Sequence, residues 1–188
     1  MADKFSTAIG IHFGIRKFTK TTTDADFYVY DDENEHHTII TNNPGKALHV
    51  KNPDNLEIRH IPVDGGIIEW AQPVYNEIGK NGRPECMLYS EYDLYYAELK
   101  TNASSPKKGN ANALHGMHQI EDFVCFLHTI DGIPYPKKQH AVVCIDKSFV
   151  KRNAAFLNET ERFRQNTGIK ILFDTEITFE DNNYTEIL

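Results

Sequence analysis

Cysteine is scarce in this chain, with three residues among 188, and no two of them form a Cys-x-x-Cys pair. Cys86, Cys125 and Cys144 each lie within an apolar run, which is typical of buried thiols. Their wide separation argues against a zinc site and against a disulfide framework. We therefore expect three free, buried cysteines.

The sequence also lacks a long apolar run and an excess of positive charge. No stretch approaches the roughly 18 apolar residues that a membrane span requires, and the first residues lack the pattern of a secretion signal. We expect a cytoplasmic protein without a membrane partner. The net charge of −7 disfavours a large basic face, through which many proteins bind phosphate groups. A role on nucleic acid would therefore favour a homodimer or a protein partner that supplies DNA binding.

Apolar residues make up 40% of the chain and aromatic residues 11%, which is enough for one sizeable core. We expect a single domain, residues 1–188, of the α/β class (α+β type), with a mixed sheet flanked by helices. Residues 1–63 form its β-rich N-terminal part, residues 64–146 its core, and residues 147–188 a C-terminal helix with strands.

Short strand-like runs dominate the N-terminal part. Residues 27–30 and 38–41 flank an acidic loop, and residues 47–50 and 56–61 flank a turn rich in Asn and Pro. This succession predicts a small β meander. The preceding apolar segment, residues 6–18, fits a strand or a short helix, and its periodicity does not distinguish them.

Helical patterns begin after residue 64. Residues 67–78 have helical spacing interrupted by Pro73, residues 102–112 have the composition of a flexible loop beside the site, and residues 111–130 have the clearest apolar helix face. Another amphipathic helix is predicted at residues 149–165, ending near Gly168. The remaining predicted strands are residues 141–145, 169–173 and 175–179.

A hairpin is predicted between residues 86–89 and residues 94–99, because the four residues between these apolar runs are polar or aromatic loop formers. A four-residue loop pairs Tyr89 with Leu94. The same register places Glu85 opposite Glu98, with their Cβ atoms about 5 Å apart. Because strand side chains alternate, Lys100 points to the same face as Glu98. The sequence therefore predicts two carboxylates and one amine in one patch.

Such a patch suits hydrolytic chemistry. Neighbouring carboxylates repel each other unless a hard cation lies between them, and Mg²⁺ binds one or two protein carboxylates together with water and phosphate oxygens. A lysine beside the ion can position or activate a water molecule, or neutralise charge that develops on a phosphate. We therefore expect Mg²⁺ or Mn²⁺ as the cofactor.

Pro84-Glu85, followed after twelve residues by Glu98-Leu99-Lys100, resembles the PD-(D/E)xK signature of the restriction-endonuclease-like nuclease superfamily. The resemblance spans residues 67–146 and departs from the family at Glu85, where Asp is usual. It implies an αβββαβ core, here with a β-rich N-terminal extension. The implied activity is metal-dependent endo- or exonucleolytic hydrolysis of phosphodiester bonds, with DNA favoured over RNA, within a bacterial defence or mobile-element system.

The resemblance also implies a set of site residues. The metal would be held by Glu85, Glu98, the backbone carbonyl of Leu99 and one carboxylate of the preceding helix, either Glu69 or Glu77. Lys100 would position or activate water, and Gln119 on the following helix would face the site.

Three alternatives remain open at this point. In the first alternative, the chain is a non-catalytic nuclease-fold subunit of a larger nucleic-acid-processing complex, as its acidic charge suggests. Glu98 and Lys100 would otherwise be an ion pair at an exposed strand end of an unrelated α+β protein. Finally, the helical spacing of His115, His118 and Asp122 permits a separate metal site.

Overall fold

The computed structural model describes residues 3–13, 19–64, 82–102 and 105–181. This part of the chain contains two mixed sheets and three α-helices, as expected for a mixed α/β protein. The helices are α1 (Asp3–Phe13), α2 (Pro106–Leu127) and α3 (Ala154–Thr167). The strands are β1 (Lys20–Thr22), β2 (Asp26–Asp32), β3 (His37–Thr41), β4 (Leu48–Lys51), β5 (Ile58–Pro62), β6 (Cys86–Tyr89), β7 (Asp93–Leu99), β8 (Lys138–Cys144), β9 (Lys170–Phe173) and β10 (Glu176–Thr178).

The first sheet has six strands in the order β1-β5-β6-β7-β8-β9. Its pairs are antiparallel from β1 to β7 and parallel from β7 to β9. Side chains alternate between its faces, so Leu94 and Tyr96 of β7 pack toward the helices, whereas Tyr95 and Ala97 pack toward the second sheet. The first sheet is therefore the middle layer, with a core on each face.

The second sheet has the order β10-β4-β2-β3, which corrects the predicted meander. β4 pairs with β2 rather than β3, and β5 belongs to the first sheet. Fully buried Asn52 fixes the crossing between sheets, because its Nδ2 donates to the carbonyls of Asp24 and Leu56 at 3.1 and 2.9 Å. The apolar pattern predicted these strands, but it does not specify their partners.

The apolar segment near the N-terminus is a helix as far as Phe13. Phe5, Ile9 and Phe13 recur every four residues, and all three are buried against the helix-side core. Ile11, on the opposite side of α1, is 71% exposed. Residues 14–18 lie outside the described residues.

α2 starts at Pro106, so the predicted loop over residues 102–112 is wrong beyond Ser105. The Ser105 hydroxyl accepts from the Lys108 N–H and caps the helix, with proline in the first turn. Gly109 contacts the backbone of Phe149, and the Asn110 side chain donates to and accepts from the Lys151 backbone at 3.0 and 2.6 Å. The polar and glycine residues thus serve helix capping and close packing.

The next helix, by contrast, starts later than predicted. Lys147–Phe149 forms a short 3₁₀ helix, and α3 begins after Asn153, whose Oδ1 accepts from the Phe156 N–H at 2.9 Å. α3 ends at Gly168 with φ of 74°, as the sequence predicts. Within the described ranges, no helix combines the length and apolar character needed to cross a membrane.

The cysteines are free, and two match the expectation of burial. Cys86 and Cys144 are buried in strands, whereas Cys125 on α2 is partly exposed. Burial raises the pKa of the Cys144 thiol to about 12. The buried thiols are therefore protonated and act as small apolar side chains.

Candidate functional site

The β6–β7 hairpin has the predicted register. Tyr89 pairs with Leu94 and Cys86 with Ala97, so Glu85 and Glu98 occupy the next paired positions. The turn is closed by Ser90, whose N–H donates to the Asp93 carbonyl at 2.9 Å and whose Oγ accepts from the Asp93 N–H at 3.2 Å. Loop length therefore fixes which side chains meet at the far end of the hairpin.

Glu98 is fully buried beside α2. A Cβ atom built on Gly116 would lie 3.0 Å from Glu98 Cγ, so the glycine makes room for the carboxylate. Lys100 Nζ donates to Glu98 Oε1, and the lysine side chain is only 16% exposed. The strand end is therefore not exposed, as that alternative expects, although the ion pair that it expects is present.

The second oxygen of Glu98, Oε2, is buried and is not hydrogen-bonded to any residue that the structure describes. Burial raises the pKa of Glu98 to about 7, and Asp64 raises it further, against the opposing effects of Lys100 and of the Glu85 backbone N–H. Leaving a buried acceptor unpaired costs about 1–3 kcal/mol. A buried oxygen without a partner is therefore typical of a position that binds a ligand.

Glu85 directly precedes β6, opposite Glu98 of β7, and is partly buried. Its pKa is raised to about 8, first by burial and then by the charges of Glu98, Asp64 and Asp31, with Lys100 acting in the opposite direction. Two adjacent carboxyl groups with raised pKa values are a setting in which a divalent cation replaces the missing positive charge.

Asp64 and Asp31 are further acidic residues around Glu85. Neither of them is predicted as a site residue from the sequence. Asp64 follows β5, the neighbour of β6, and forms an ion pair with Arg83 at 3.0 Å. Asp31 lies on β2 of the second sheet, and its pKa is raised by burial and then by Asp64. The position of Asp64 directly after an apolar strand was a usable signal, whereas Asp31 is adjacent only through the packing of the two sheets.

Gln119 lies on α2 one turn beyond Gly116. Its Nε2 donates to the Arg83 carbonyl at 3.4 Å, and its Oε1 is buried without a hydrogen bond to any described residue. Gln119 therefore borders the segment that leads into Glu85. Leu99 lies between Glu98 and Lys100, with its side chain packed toward the second sheet.

The predicted residues thus fall into two groups. The structure brings Glu85, Glu98 and Lys100 together and places Gln119 beside the start of their hairpin. Glu69 and Glu77, the candidates for a helix carboxylate, lie outside the described residues.

The alternative histidine site does not form. His118 Nε2 lies 3.1 Å from Arg162 and 3.5 Å from Glu159 on α3, and it is therefore engaged between helices. Within the described ranges, no group of three or more His, Cys, Asp or Glu side chains is arranged to hold a metal ion. A magnesium site built on the Glu85–Glu98 pair would rely on water and substrate oxygens for its remaining ligands, as Mg²⁺ commonly does.

Comparison with known proteins gave no match to a family model, to a curated protein or to a solved structure. The burial, charge and pairing of these side chains are therefore the features that bear on function. The centre of the site is a buried carboxylate with one oxygen held by lysine and the other without a hydrogen-bond partner in the described part of the chain.

Proposed function

We propose that this protein is a metal-dependent nuclease that hydrolyses phosphodiester bonds, with DNA favoured over RNA as its substrate. The observation that carries the proposal is the state of Glu98. It is fully buried, paired through Oε1 with Lys100, next to Glu85, and without a hydrogen bond at Oε2 to any described residue. Structural ion pairs in a core normally satisfy both oxygens, because an unpaired buried acceptor is costly.

The residues present fit a divalent cation. Glu85, Glu98 and the backbone carbonyl of Leu99 are oxygen donors of the kind that Mg²⁺ and Mn²⁺ prefer. Oε2 of Glu98 offers a lone pair that no described residue occupies. When bound, the ion would polarise a phosphoryl oxygen and lower the pKa of a water molecule.

Lys100 has a separate role in this proposal. Its ammonium group is fixed by Glu98 Oε1 at the end of β7, which holds a positive charge beside the carboxylate pair. Phosphoryl transfer depends mainly on positioning and charge stabilisation. We assign Lys100 to orienting the attacking water and to stabilising the charge that develops on the phosphate.

The order of elements supports a restriction-endonuclease-like core. β5, β6 and β7 are consecutive antiparallel strands, α2 follows them, and β8 returns parallel to β7. This succession corresponds to the βββαβ part of the αβββαβ arrangement. The strands β2, β3 and β4 of the second sheet then belong to the β-rich extension.

The test is cleavage of supercoiled plasmid, linear duplex, single-stranded DNA and RNA with Mg²⁺ or Mn²⁺, against EDTA. We expect Glu98→Gln and Lys100→Ala to lower the rate at least about 100-fold, which corresponds to about 2.7 kcal/mol of transition-state stabilisation. Glu161→Gln is the matched control, because it breaks an exposed ion pair with Arg164 on α3. Equal cleavage by all variants would refute the assigned site.

A non-catalytic role is the second candidate, and the net charge of −7 favours it. In that case the protein would be a nuclease-fold subunit whose partner binds the nucleic acid. Metal binding without cleavage of any of the four substrates, together with copurification of a host protein, would support this role. A monomer with metal-dependent activity would exclude it.

A further inference from the structure

Two cavities flank the connection between β3 and β4. One, of about 380 Å³, lies toward the end of β7 and includes Tyr28, His49 and Lys100 in its lining. The other, of about 430 Å³, includes Tyr30, Asp31 and Asn43. The residues common to both are Gly45, Lys46, Ala47 and Thr101. The cavities are therefore neighbours on this connection, and we refer to them together as the turn groove.

Each of the two cavities of the turn groove is lined by a residue connected with the proposed site. Lys100, the partner of Glu98, lines its first cavity. Asp31 lines its second cavity and is one of the charges that act on Glu85. A molecule lying in the groove would therefore pass beside the Glu98–Lys100 pair.

The walls of the groove carry stacked rings and an exposed cation. Phe27 and Val29 point into the core between the sheets, so the alternating Tyr28 and Tyr30 lie on the outer face. The Tyr28 and His49 rings are stacked, with centroids 4.8 Å apart and an interplanar angle of 15°.

Lys46 is exposed at the centre of the groove and forms no ion pair within the part of the chain that the structure describes. Asp146 also lines the groove, but its Oδ1 accepts from the Ser148 N–H at 2.8 Å and is engaged in capping the 3₁₀ helix. The amide of Asn43 and the hydroxyls of Thr41 and Thr101 add neutral hydrogen-bonding groups.

We propose that the turn groove binds one single strand of nucleic acid and directs it to Lys100. This inference rests on the proposed function and adds the form of the substrate and the surface that holds it. Proteins bind single strands by combining basic side chains with aromatic rings on which bases stack. A duplex presents base edges in its grooves and keeps base faces stacked internally. Each cavity also has the size of a small-molecule site, roughly 300–1,000 Å³, which suits one or two nucleotides.

Gly45 offers a direct way to block the groove. A Cβ atom at this position has no neighbour within 4 Å, so a larger side chain would occupy the groove without a clash at its base. We expect Gly45→Phe and Lys46→Glu each to weaken binding of a short fluorescein-labelled oligothymidylate at least about tenfold, measured by fluorescence anisotropy in EDTA. The controls are Asn158→Phe and Lys170→Glu, which introduce the same residues at exposed positions on α3 and β9.

Binding in EDTA separates this inference from the proposed hydrolysis. Groove-dependent binding without cleavage in any metal would support the groove and refute the activity. Unchanged binding by Gly45→Phe and Lys46→Glu would overturn the groove, even if the parent cleaves DNA. Tighter binding of a labelled duplex than of the single strand would also overturn it. If Gly45→Phe fails to fold by circular dichroism, Lys46→Glu against Lys170→Glu decides the result.

Discussion

Gly116 of α2 faces Glu98 of β7 at a point where there is no room for a side chain between them. A Cβ atom on Gly116 would lie 3.0 Å from Glu98 Cγ and 3.0 Å from Val143 Cγ1, which is closer than ordinary contacts between carbon atoms. The glycine therefore determines how closely the helix approaches the carboxylate. It links the packing of the core to the geometry of the proposed site.

Gly116→Ala tests this contact. Alanine favours a helix by about 1 kcal/mol relative to glycine, but overpacking a core costs about 1–3 kcal/mol. Because both neighbours are buried, we expect a net loss of about 1 kcal/mol in the free energy of unfolding in urea. Displacement of Glu98 should also weaken the binding of Mn²⁺, which isothermal titration calorimetry measures. A more stable variant with unchanged Mn²⁺ affinity would contradict the assigned geometry.

Gly109→Ala should be more damaging than Gly116→Ala. A Cβ atom on Gly109 would lie 2.6 Å from Phe149 Cβ and even closer to the Phe149 carbonyl oxygen, and backbone cannot move aside as a side chain can. We expect a loss of about 3 kcal/mol in the free energy of unfolding. Lys108→Ala, at the exposed neighbouring position of α2, is the control and should change stability by less than about 0.5 kcal/mol.

Glu85→Gln should remove most of the stabilisation by Mn²⁺. A ligand that binds only the folded state raises the free energy of unfolding according to its concentration and affinity. We expect millimolar Mn²⁺ to raise the melting temperature of the parent and of Glu161→Gln by several degrees, and to have little effect on Glu85→Gln. Differential scanning calorimetry in Mn²⁺ and in EDTA measures the difference. An equal increase in all three proteins would place the ion elsewhere.

His60 should make the protein sensitive to acid. Its ring is buried on β5 and hydrogen-bonded to Thr38 at 2.9 Å, and burial lowers its pKa from 6.5 to about 3. Between these values the unfolded chain binds a proton that the folded chain does not. The contribution of neutral His60 is therefore present above pH 6.5 and is lost as the pH falls toward 3.

His60→Gln is the corresponding variant. The parent should lose more stability than this variant between pH 7 and pH 4. We expect the two decreases in the free energy of unfolding to differ by at least about 1 kcal/mol. His12→Gln, at an exposed position of α1, should follow the parent. Parallel curves for the parent and His60→Gln would show that His60 is not held neutral.

Local patterns predicted those features that depend on neighbouring residues. The loop between β6 and β7 sets the pairing of Tyr89 with Leu94, and hence the meeting of Glu85 and Glu98. By contrast, Asn110 contacts Lys151 across 41 residues of sequence. The composition of residues 102–112 does not reveal this contact and therefore indicates a loop where the structure has a helix. Asp31 was missed for a similar reason, since its effect on Glu85 depends on how the two sheets pack.

The pairing of β10 with β4 also sets an order for folding during translation. Glu176 pairs with His49, and their side chains are hydrogen-bonded at 3.1 Å across 127 residues of sequence. While the ribosome synthesises the intervening chain, β4 has an open edge on the side that β10 later covers. Unpaired edges invite association between chains, so the nascent protein is most exposed to aggregation until residue 178 has emerged.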